Sequence, residues 1–411
     1  MTVGEDITTC DVLVIGAGPG GGNAALHSAR NGLSTILIED HPAIGTPVHC
    51  GECISDIACD NLNLSLPEDV ISMRVEGIRV IFPDGTAKCL SEEGYVLEKH
   101  LFERWIADEA VAAGAALHLS HKLRNMEKQF DGDRFTGWLC EGKGEQFPIL
   151  AKVVIDASGV AGVCNKMLDL NPRPQVIAGM QYEMLEVPND GYLDFYIWPE
   201  YAEKGYLWMI PKCDGRANVG LVTEDKPRAK KALDEFIEIT HFKGLEQVPP
   251  QWKEKGNPAF GGTIPISGPH EVTYDDGLML IGDAAGFTSP LFEGGSHLAL
   301  KSAVFAAKVA AEQIATGDLS SARMSRYQQL WKGEFPPYDK ILRGKTALFD
   351  LSDDDLSLMA RCFPDEMSDM GPHGKLAVCL RILLQRPSLY ARRIIPAMLS
   401  FGYSRAKFYG W

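Results

Sequence analysis

Residues 12–39, VLVIGAGPGGGNAALHSARNGLSTILIE, constrain the fold more than any other stretch of the chain. An apolar run at 12–15 leads into Gly16-x-Gly18-x-x-Gly21. A helix of small residues follows, then a second apolar run, Thr35–Ile38, that ends on Glu39. Strand, glycine turn, helix, strand and acid in this order predict a βαβ unit that binds an ADP-containing cofactor. Gly16 allows the tight turn, Gly18 lets the backbone approach a pyrophosphate, and Gly21 lets the helix pack against the strand. The helix start, with Pro19 at its head, turns unpaired N–H groups and the positive end of its dipole toward the diphosphate. Glu39, 23 residues after Gly16, is placed to accept hydrogen bonds from the adenosine ribose hydroxyls. An ordinary glycine-rich turn would not account for that acid.

The chain has 411 residues, enough for one large or two interleaved domains. Its 45% apolar and 23% charged content is that of a soluble globular protein, and a net charge of −15 argues against nucleic acid as a partner. The opening segment MTVGEDITTC has no basic, apolar leader pattern, and no run approaches the ~20 apolar residues of a membrane span. Ten cysteines without a compact framework predict a reducing compartment, hence a cytoplasmic protein. Residues 371–411 hold seven basic side chains (Lys375, Arg381, Arg386, Arg392, Arg393, Arg405, Lys407), no acid and many apolar residues. Two readings stay open for this tail: a helical pair packed on the body with solvated arginines, or a peripheral contact with an anionic membrane surface. The acidic stretches before it, 353–355 and 365–369, read as a solvated loop and a helix cap.

Further along, residues 95–118 have helical spacing up to Gly114 and then a strand. Residues 152–158 are an apolar run ending in the turn Asp156-Ala157-Ser158-Gly159. Residues 180–225 are aromatic-rich and alternate in places, predicting antiparallel sheet. The last ~90 residues have a helical pattern. At 278–286 an apolar strand ends in Gly282-Asp283-Ala284-Ala285-Gly286. An acid fixed at a strand end among small residues suits a polyhydroxylated linker such as ribityl, so the combined motifs select FAD rather than a nicotinamide cofactor. Residues 290–295, PLFEGG, open another helix. Its free N–H groups, at Gly294 and Gly295, would stabilise negative charge on a reduced flavin. The fold class expected is α/β: a Rossmann-like FAD-binding domain (1–175 plus 260–325) interrupted by an antiparallel-sheet substrate domain (176–259), with a helical C-terminal region (326–411).

Three segments carry a resemblance to a known family: the glycine motif with Glu39, Pro47-Val48-His49-Cys50-Gly51-Glu52, and Tyr206-Leu207-Trp208-Met209-Ile210-Pro211. Over residues ~10–340 the chain resembles the geranylgeranyl reductases, a branch of the p-hydroxybenzoate-hydroxylase-type flavoproteins. The second segment is similar to that family's PxxCGE, placed near the flavin with Cys50 and Gly51. The third is similar to its YxWxFP, which lines the prenyl site, with Ile210 in the last aromatic position. Lys99 stands in a segment where the wider superfamily often has an arginine contact to the cofactor.

The resemblance implies an FAD-dependent reductase that saturates geranylgeranyl chains on archaeal diether membrane lipids. NAD(P)H or ferredoxin would be the electron donor, and the enzyme would lie in the cytoplasm or on the inner face of the membrane. Trp198, Tyr206, Trp208 and Pro211 are the expected prenyl contacts; ordinary sheet packing is the competing reading for these aromatics. An isolated alkene is a poor hydride acceptor. The expected chemistry is therefore protonation to a tertiary, cation-like centre coupled to hydride transfer, with aromatic faces stabilising the charge. Cys50 is the first candidate donor, with Glu52, His49 and Cys53 as alternatives or relays. Cys50 and Cys53 form a CxxC that also allows a redox disulfide; no metal site is expected, because the other cysteines are scattered singly. The competing functions are an aromatic-hydroxylase-type flavin monooxygenase, a halogenase lacking a WxWxIP segment, an electron-transfer dehydrogenase, or a flavin- or lipid-binding protein without turnover.

Overall fold

A computed structural model describes residues 7–253, 258–368, 370–390 and 394–411. Arg392, Arg393 and Asp369 lie outside the described residues. At the centre, the strand Thr8–Ile15 pairs in parallel with Thr35–Ile38 on one side and Ile149–Asp156 on the other. Ala116–His118 and Leu278–Leu280 extend the parallel sheet at its two ends. Strands buried on both faces need apolar residues at every position, which is why these runs show no alternation. Helices Pro19–Arg30, Lys99–Ala112 and Ser296–Thr316 pack together beside this sheet. A long hairpin, Lys122–Asp131 with Arg134–Lys143, adds antiparallel to Ile149–Asp156.

The glycine turn is dictated sterically. Gly16 has φ +95°, and a Cβ on Gly21 would lie 1.7 Å from the Gly16 carbonyl oxygen. Gly18 is different: nothing lies within 4 Å of where its Cβ would be. Two glycines are thus required by packing, and the third leaves a surface open.

The second sheet runs Gln247–Val248, Val176–Met184, Ala217–Thr223, Tyr206–Pro211, Tyr192–Tyr196, Gly77–Ile81 and Ala87–Leu90. Phe260–Pro265 also pairs with Val176–Met184. It therefore recruits the hairpin at 77–90 and the strand at 260–265, outside the expected segment 176–259. One of its pairings, Tyr192–Tyr196 with Gly77–Ile81, is parallel. The hairpin strands are only four or five residues long, with a charged residue in each, and a short pattern of that kind does not announce which sheet it joins. The segment read as one helix from 95 likewise begins as the strand Gly94–Leu97, which pairs with Cys53–Ser55 and Ile71–Val75 in a small third sheet. The helix starts at Lys99.

Alternation along Tyr206–Pro211 divides two cores. Tyr206, Trp208 and Ile210 join the main core, whereas Leu207 and Met209 face a second core with Tyr196, Leu221 and Phe236, closed by the helix Ala229–Ile239. The C-terminal part is helical: Ser321–Glu334, Tyr338–Phe349, Asp353–Cys362, Pro372–Gln385 and Ile394–Tyr403. Ser352 caps the third of these by accepting from Asp355 N, and Asp355 pairs with Arg386.

Gly21→Ala should destabilise the fold by about 1–3 kcal/mol or more, because its methyl has nowhere to go. Gly18→Ala should leave the thermal midpoint nearly unchanged while weakening retention of the flavin. Thermal melts together with flavin absorbance after gel filtration separate the two outcomes.

Candidate active site

One cavity of about 400 Å³ lies where the two sheets meet. Its floor is the glycine turn (Gly18, Pro19, Gly20) with Ala157 and Gly159. One wall is the loop Pro47–Cys53, the other the inward face of the strand at 206–211. Asp283 and residues 292–296 close the far side, and Phe401, Ser404, Arg405 and Trp411 complete the rim.

Two helices start at this cavity, Pro19–Arg30 and Ser296–Thr316. Neither has a side-chain cap or an acid in its first turn. Uncapped helix starts present N–H donors and a positive dipole end, which is a site for anionic groups. The open space at Gly18 admits a pyrophosphate, and the uncapped start at Gly294-Gly295 suits the charged edge of a reduced flavin. Between them Asp283 is half-buried; its carboxylate accepts from the Thr288 hydroxyl at 2.9 Å. Burial pushes Asp283 up, opposed by that hydrogen bond and by Lys99. These residues fit FAD: two anion-binding ends joined by an acid able to hold a ribityl hydroxyl. Glu39 sits at the end of Thr35–Ile38, off the cavity, where it accepts from Ala17 N at 2.8 Å and contacts His41 Nδ1 at 2.6 Å. Gly286 has φ +76° and packs against Gly268, so its role is in the turn rather than on the cavity wall. Asp156 also turns inward: its carboxylate accepts from Ser158 N and Cys164 N at 3.0 and 2.7 Å.

The loop at 47–53 is fixed by four anchors. His49 Nδ1 lies 2.6 Å from the Gly261 carbonyl. The Cys50 carbonyl accepts from Gln181 Nε2 at 2.8 Å, and Gln181 Oε1 accepts from Trp208 Nε1 at 3.1 Å, which ties the loop to the aromatic strand. Ile210 Cδ1 would lie 2.9 Å from a Cβ at Gly51, so Ile210 packs directly over that glycine. Glu52 is the fourth. It has φ +73° and is buried, and its carboxylate accepts from Lys99 N (3.0 Å), Lys212 Nζ (2.9 Å) and Asn218 Nδ2 (2.6 Å). With its oxygens committed to three donors, Glu52 is an anchor, which corrects the expectation that it donates a proton. Spacing could not reveal this, because Lys212 and Asn218 stand on the far sheet.

Around Glu52 runs a buried network. Lys212 also reaches Glu98 (2.9 Å), and Arg216 reaches Glu98 (2.7 Å) and Glu183 (3.4 Å). Burial raises Glu98, but Lys212 and Arg216 outweigh it and hold the carboxyl below its usual range. For Glu183 burial prevails and pushes the carboxyl up. Lys99, the expected cofactor contact, lines the cavity but pairs with Glu103 one turn along its own helix.

Cys50 and Cys53 are both free thiols. Burial pushes the Cys50 thiol up despite Lys99, and pushes Cys53 further, so both keep their protons at neutral pH. Tyr206 is buried, stacks edge-on with Phe195 and Phe292 at 5.5 and 5.4 Å, and donates to the Phe292 carbonyl at 2.8 Å. Two expected prenyl contacts do not reach the cavity. Pro211 lies on the opposite face of its strand. Trp198 belongs to the second core, donating to the Phe82 carbonyl at 2.9 Å and packing against Tyr196 and Phe236. Sequence reading had missed Phe195, Phe292 and Phe401. It also missed Glu92, a buried acid that accepts from Arg405, Ala406 N (3.1 Å) and Trp411 Nε1 (3.0 Å) and so pins residues 405–411 against the rim.

A model described as FAD dependent oxidoreductase matches residues 11–166, and one described as geranylgeranyl reductase catalytic domain matches residues 175–248. A digeranylgeranylglycerophospholipid reductase of Methanocaldococcus jannaschii is 33% identical over 393 residues, covering 92% of this chain and 96% of that one. The chain belongs to the geranylgeranyl reductase family. A Methanothermobacter thermautotrophicus relative, digeranylgeranylglycerophospholipid reductase 2, is 34% identical with 92% and 97% covered. Among solved structures, a geranylgeranyl bacteriochlorophyll reductase-like protein from Thermoplasma acidophilum superposes with a TM-score of 0.82 at 29% identity, covering 95% of this chain and 100% of that one. A flavin-dependent brominase superposes with a TM-score of 0.63 at 19% identity, covering 98% and 96%; this likeness is one of fold. This geranylgeranyl reductase family member is a flavin-dependent oxidoreductase, and its two family segments, 47–52 and 206–211, face each other across one cavity.

Glu52→Ala should cost about 3–5 kcal/mol in denaturant unfolding, since it leaves Lys212 buried beside fewer carboxylates. Because Glu98 is held below its usual range, its stabilisation is present above the ordinary carboxylate pKa and is lost as pH falls through the lowered value. Glu98→Gln should therefore flatten the acid limb of a stability-against-pH curve.

Proposed function

We propose that this enzyme saturates double bonds of geranylgeranyl chains carried on a diether phospholipid. The observation that carries the reading is a cavity with the Cys50 thiol on one wall and aromatic faces on the other, between two uncapped helix starts. Reduced FAD, when bound, supplies the hydride. The chain's own residues do the rest. Cys50 holds a proton on a thiol that burial keeps neutral and delivers it to one alkene carbon. Tyr206, Trp208, Phe195 and Phe292 surround the tail and turn ring faces toward the developing tertiary cation. They also keep water away, and each buried CH₂ of the tail contributes about 0.8 kcal/mol. NAD(P)H or ferredoxin would supply electrons through a transient encounter.

Lipid access favours the C-terminal helices. Leu376, Leu380 and Leu384 form one stripe of Pro372–Gln385 and are 59, 52 and 83% exposed, with Lys375 and Arg381 exposed beside them. Ile395 and Leu399 extend the apolar exposure along Ile394–Tyr403, the helix that carries the rim residue Phe401. No helix among the described residues is long and apolar enough to cross a membrane. This face would lie on an anionic bilayer, on the cytoplasmic side, and bring the cavity rim to the lipid.

The purified protein should carry yellow FAD and, after dithionite reduction, add mass in +2 steps to geranylgeranylated lipid. Unchanged lipid mass with fully reduced FAD bound would overturn the assignment. Cys50→Ala should keep FAD and lose about 100-fold or more in turnover. Replacing Leu380 and Leu384 together by Asp should abolish co-sedimentation with phosphatidylglycerol vesicles while leaving turnover of detergent-dispersed lipid intact.

A further inference from the structure

Residues 404–411 lie along the cavity rim, and the reductase reading leaves them without a task. One buried acid holds them there. Glu92, in the loop between Ala87–Leu90 and Gly94–Leu97, lines the cavity and commits both carboxylate oxygens to this segment. Oε1 accepts from Arg405 Nε; Oε2 accepts from Ala406 N at 3.1 Å and from Trp411 Nε1 at 3.0 Å. The backbone is anchored separately. The Gly410 carbonyl accepts from Ser55 N at 3.0 Å, and the buried Tyr409 ring packs edge-on against Tyr338 at 5.9 Å. These contacts fix where the chain runs, and the bond to Glu92 fixes which way the Trp411 indole turns. Trp411 also accounts for a glycine. A Cβ on Gly294 would lie 2.4 Å from the Trp411 carbonyl carbon and 2.6 Å from its oxygen, so a side chain there and Trp411 exclude each other. A Cβ on Gly94 would lie 2.6 Å from Trp411 Cζ3. Two glycines from separate elements thus leave room that a tryptophan fills.

We propose that Trp411 sets the register of the isoprenoid tail in the cavity, and so selects which double bond is reduced first, with Glu92 as the residue that positions the indole. The inference rests on the reductase reading and names a determinant of selectivity within that site. An isoprenoid tail carries no polar group along its length, so hydrogen bonds cannot fix how far it enters. Its repeating units look alike to an apolar wall, and sliding by one unit is resisted only where a unit meets a rigid obstacle. A half-buried indole on the cavity wall, held at its one polar atom, is such an obstacle. The aromatic faces at 206 and 208 come from a strand and grip whichever unit lies beside them. Trp411 decides which unit that is.

The test uses full-length, FAD-loaded protein, pre-reduced and given no further electrons, with geranylgeranylated diether lipid. Each chain then makes a single +2 addition, and fragmentation mass spectrometry locates the saturated unit. Wild type should place most of this addition at one double bond. Trp411→Ala should spread it over two or more. Trp411→Phe keeps a ring but loses the bond to Glu92, and should spread the addition less. Glu92→Gln keeps the indole but offers its donors fewer acceptors, and should resemble Trp411→Phe. A second readout needs no turnover: the fully saturated diether lipid is titrated into oxidised protein and followed by flavin absorbance. Trp411→Ala should bind it about 10-fold more weakly. The proposal is overturned if wild type spreads its first addition evenly, if Trp411→Ala and Trp411→Phe keep the wild-type distribution, or if the Ala variant's titration is unchanged. It is also overturned if the variants lose yield at every position alike, the mark of a purely structural role. Should Trp411→Ala fail to fold, Trp411→Phe and Glu92→Gln decide the matter. A wild type that reduces FAD yet adds no hydrogen to lipid overturns the reductase reading instead, and the saturated-lipid titration still reports whether Trp411 touches the tail.

Discussion

The buried carboxylate of Glu52 joins three parts of the molecule at one point. One oxygen holds the first N–H of the helix Lys99–Ala112, which packs on the cofactor-binding sheet. The other holds Lys212 and Asn218, from the second sheet. The loop bearing Cys50 hangs between them. In a low-dielectric interior such contacts are strong only when every member is satisfied, and here two cations face three carboxylates, one of which burial pushes toward its neutral form. The position of Cys50 is therefore set in part by electrostatics reaching across the sheet interface, together with the other anchors of its loop.

With the loop fixed, the cavity follows from secondary-structure geometry. Helix starts lie at the carboxyl ends of parallel strands, so two of them converge on the same edge of the sheet and leave their N–H groups pointing into shared space. The aromatic strand comes from the other sheet and offers every second side chain. Polar ends and a greasy wall are brought together by two sheets that each satisfy their own packing rules.

Much of this was legible in the sequence because the signals were local. The glycine turn, the acid at the end of the second strand and the Gly282–Gly286 turn each place a backbone feature within a few residues of the motif that encodes it. The side chains that depended on face or on distant partners were not legible. Trp198 and Pro211 carry the right chemistry on the wrong face, and strand parity across an irregular stretch cannot be counted without knowing where each strand begins. Glu52 looked like an acid because two of its three donors lie about 160 residues away in the chain. The hairpin at 77–90 failed for the same reason: its partner strand follows more than a hundred residues later.

Strand parity at 206–211 has a further consequence. Residues 206, 208 and 210 line the cavity, while 207 and 209 hold a separate core together. Pocket shape and fold stability are thereby written on interleaved positions of one six-residue segment. Changes in chain length or branching preference can accumulate on the even-numbered side chains without eroding the odd-numbered ones, so this strand can diversify in what it recognises while remaining constant in what it supports.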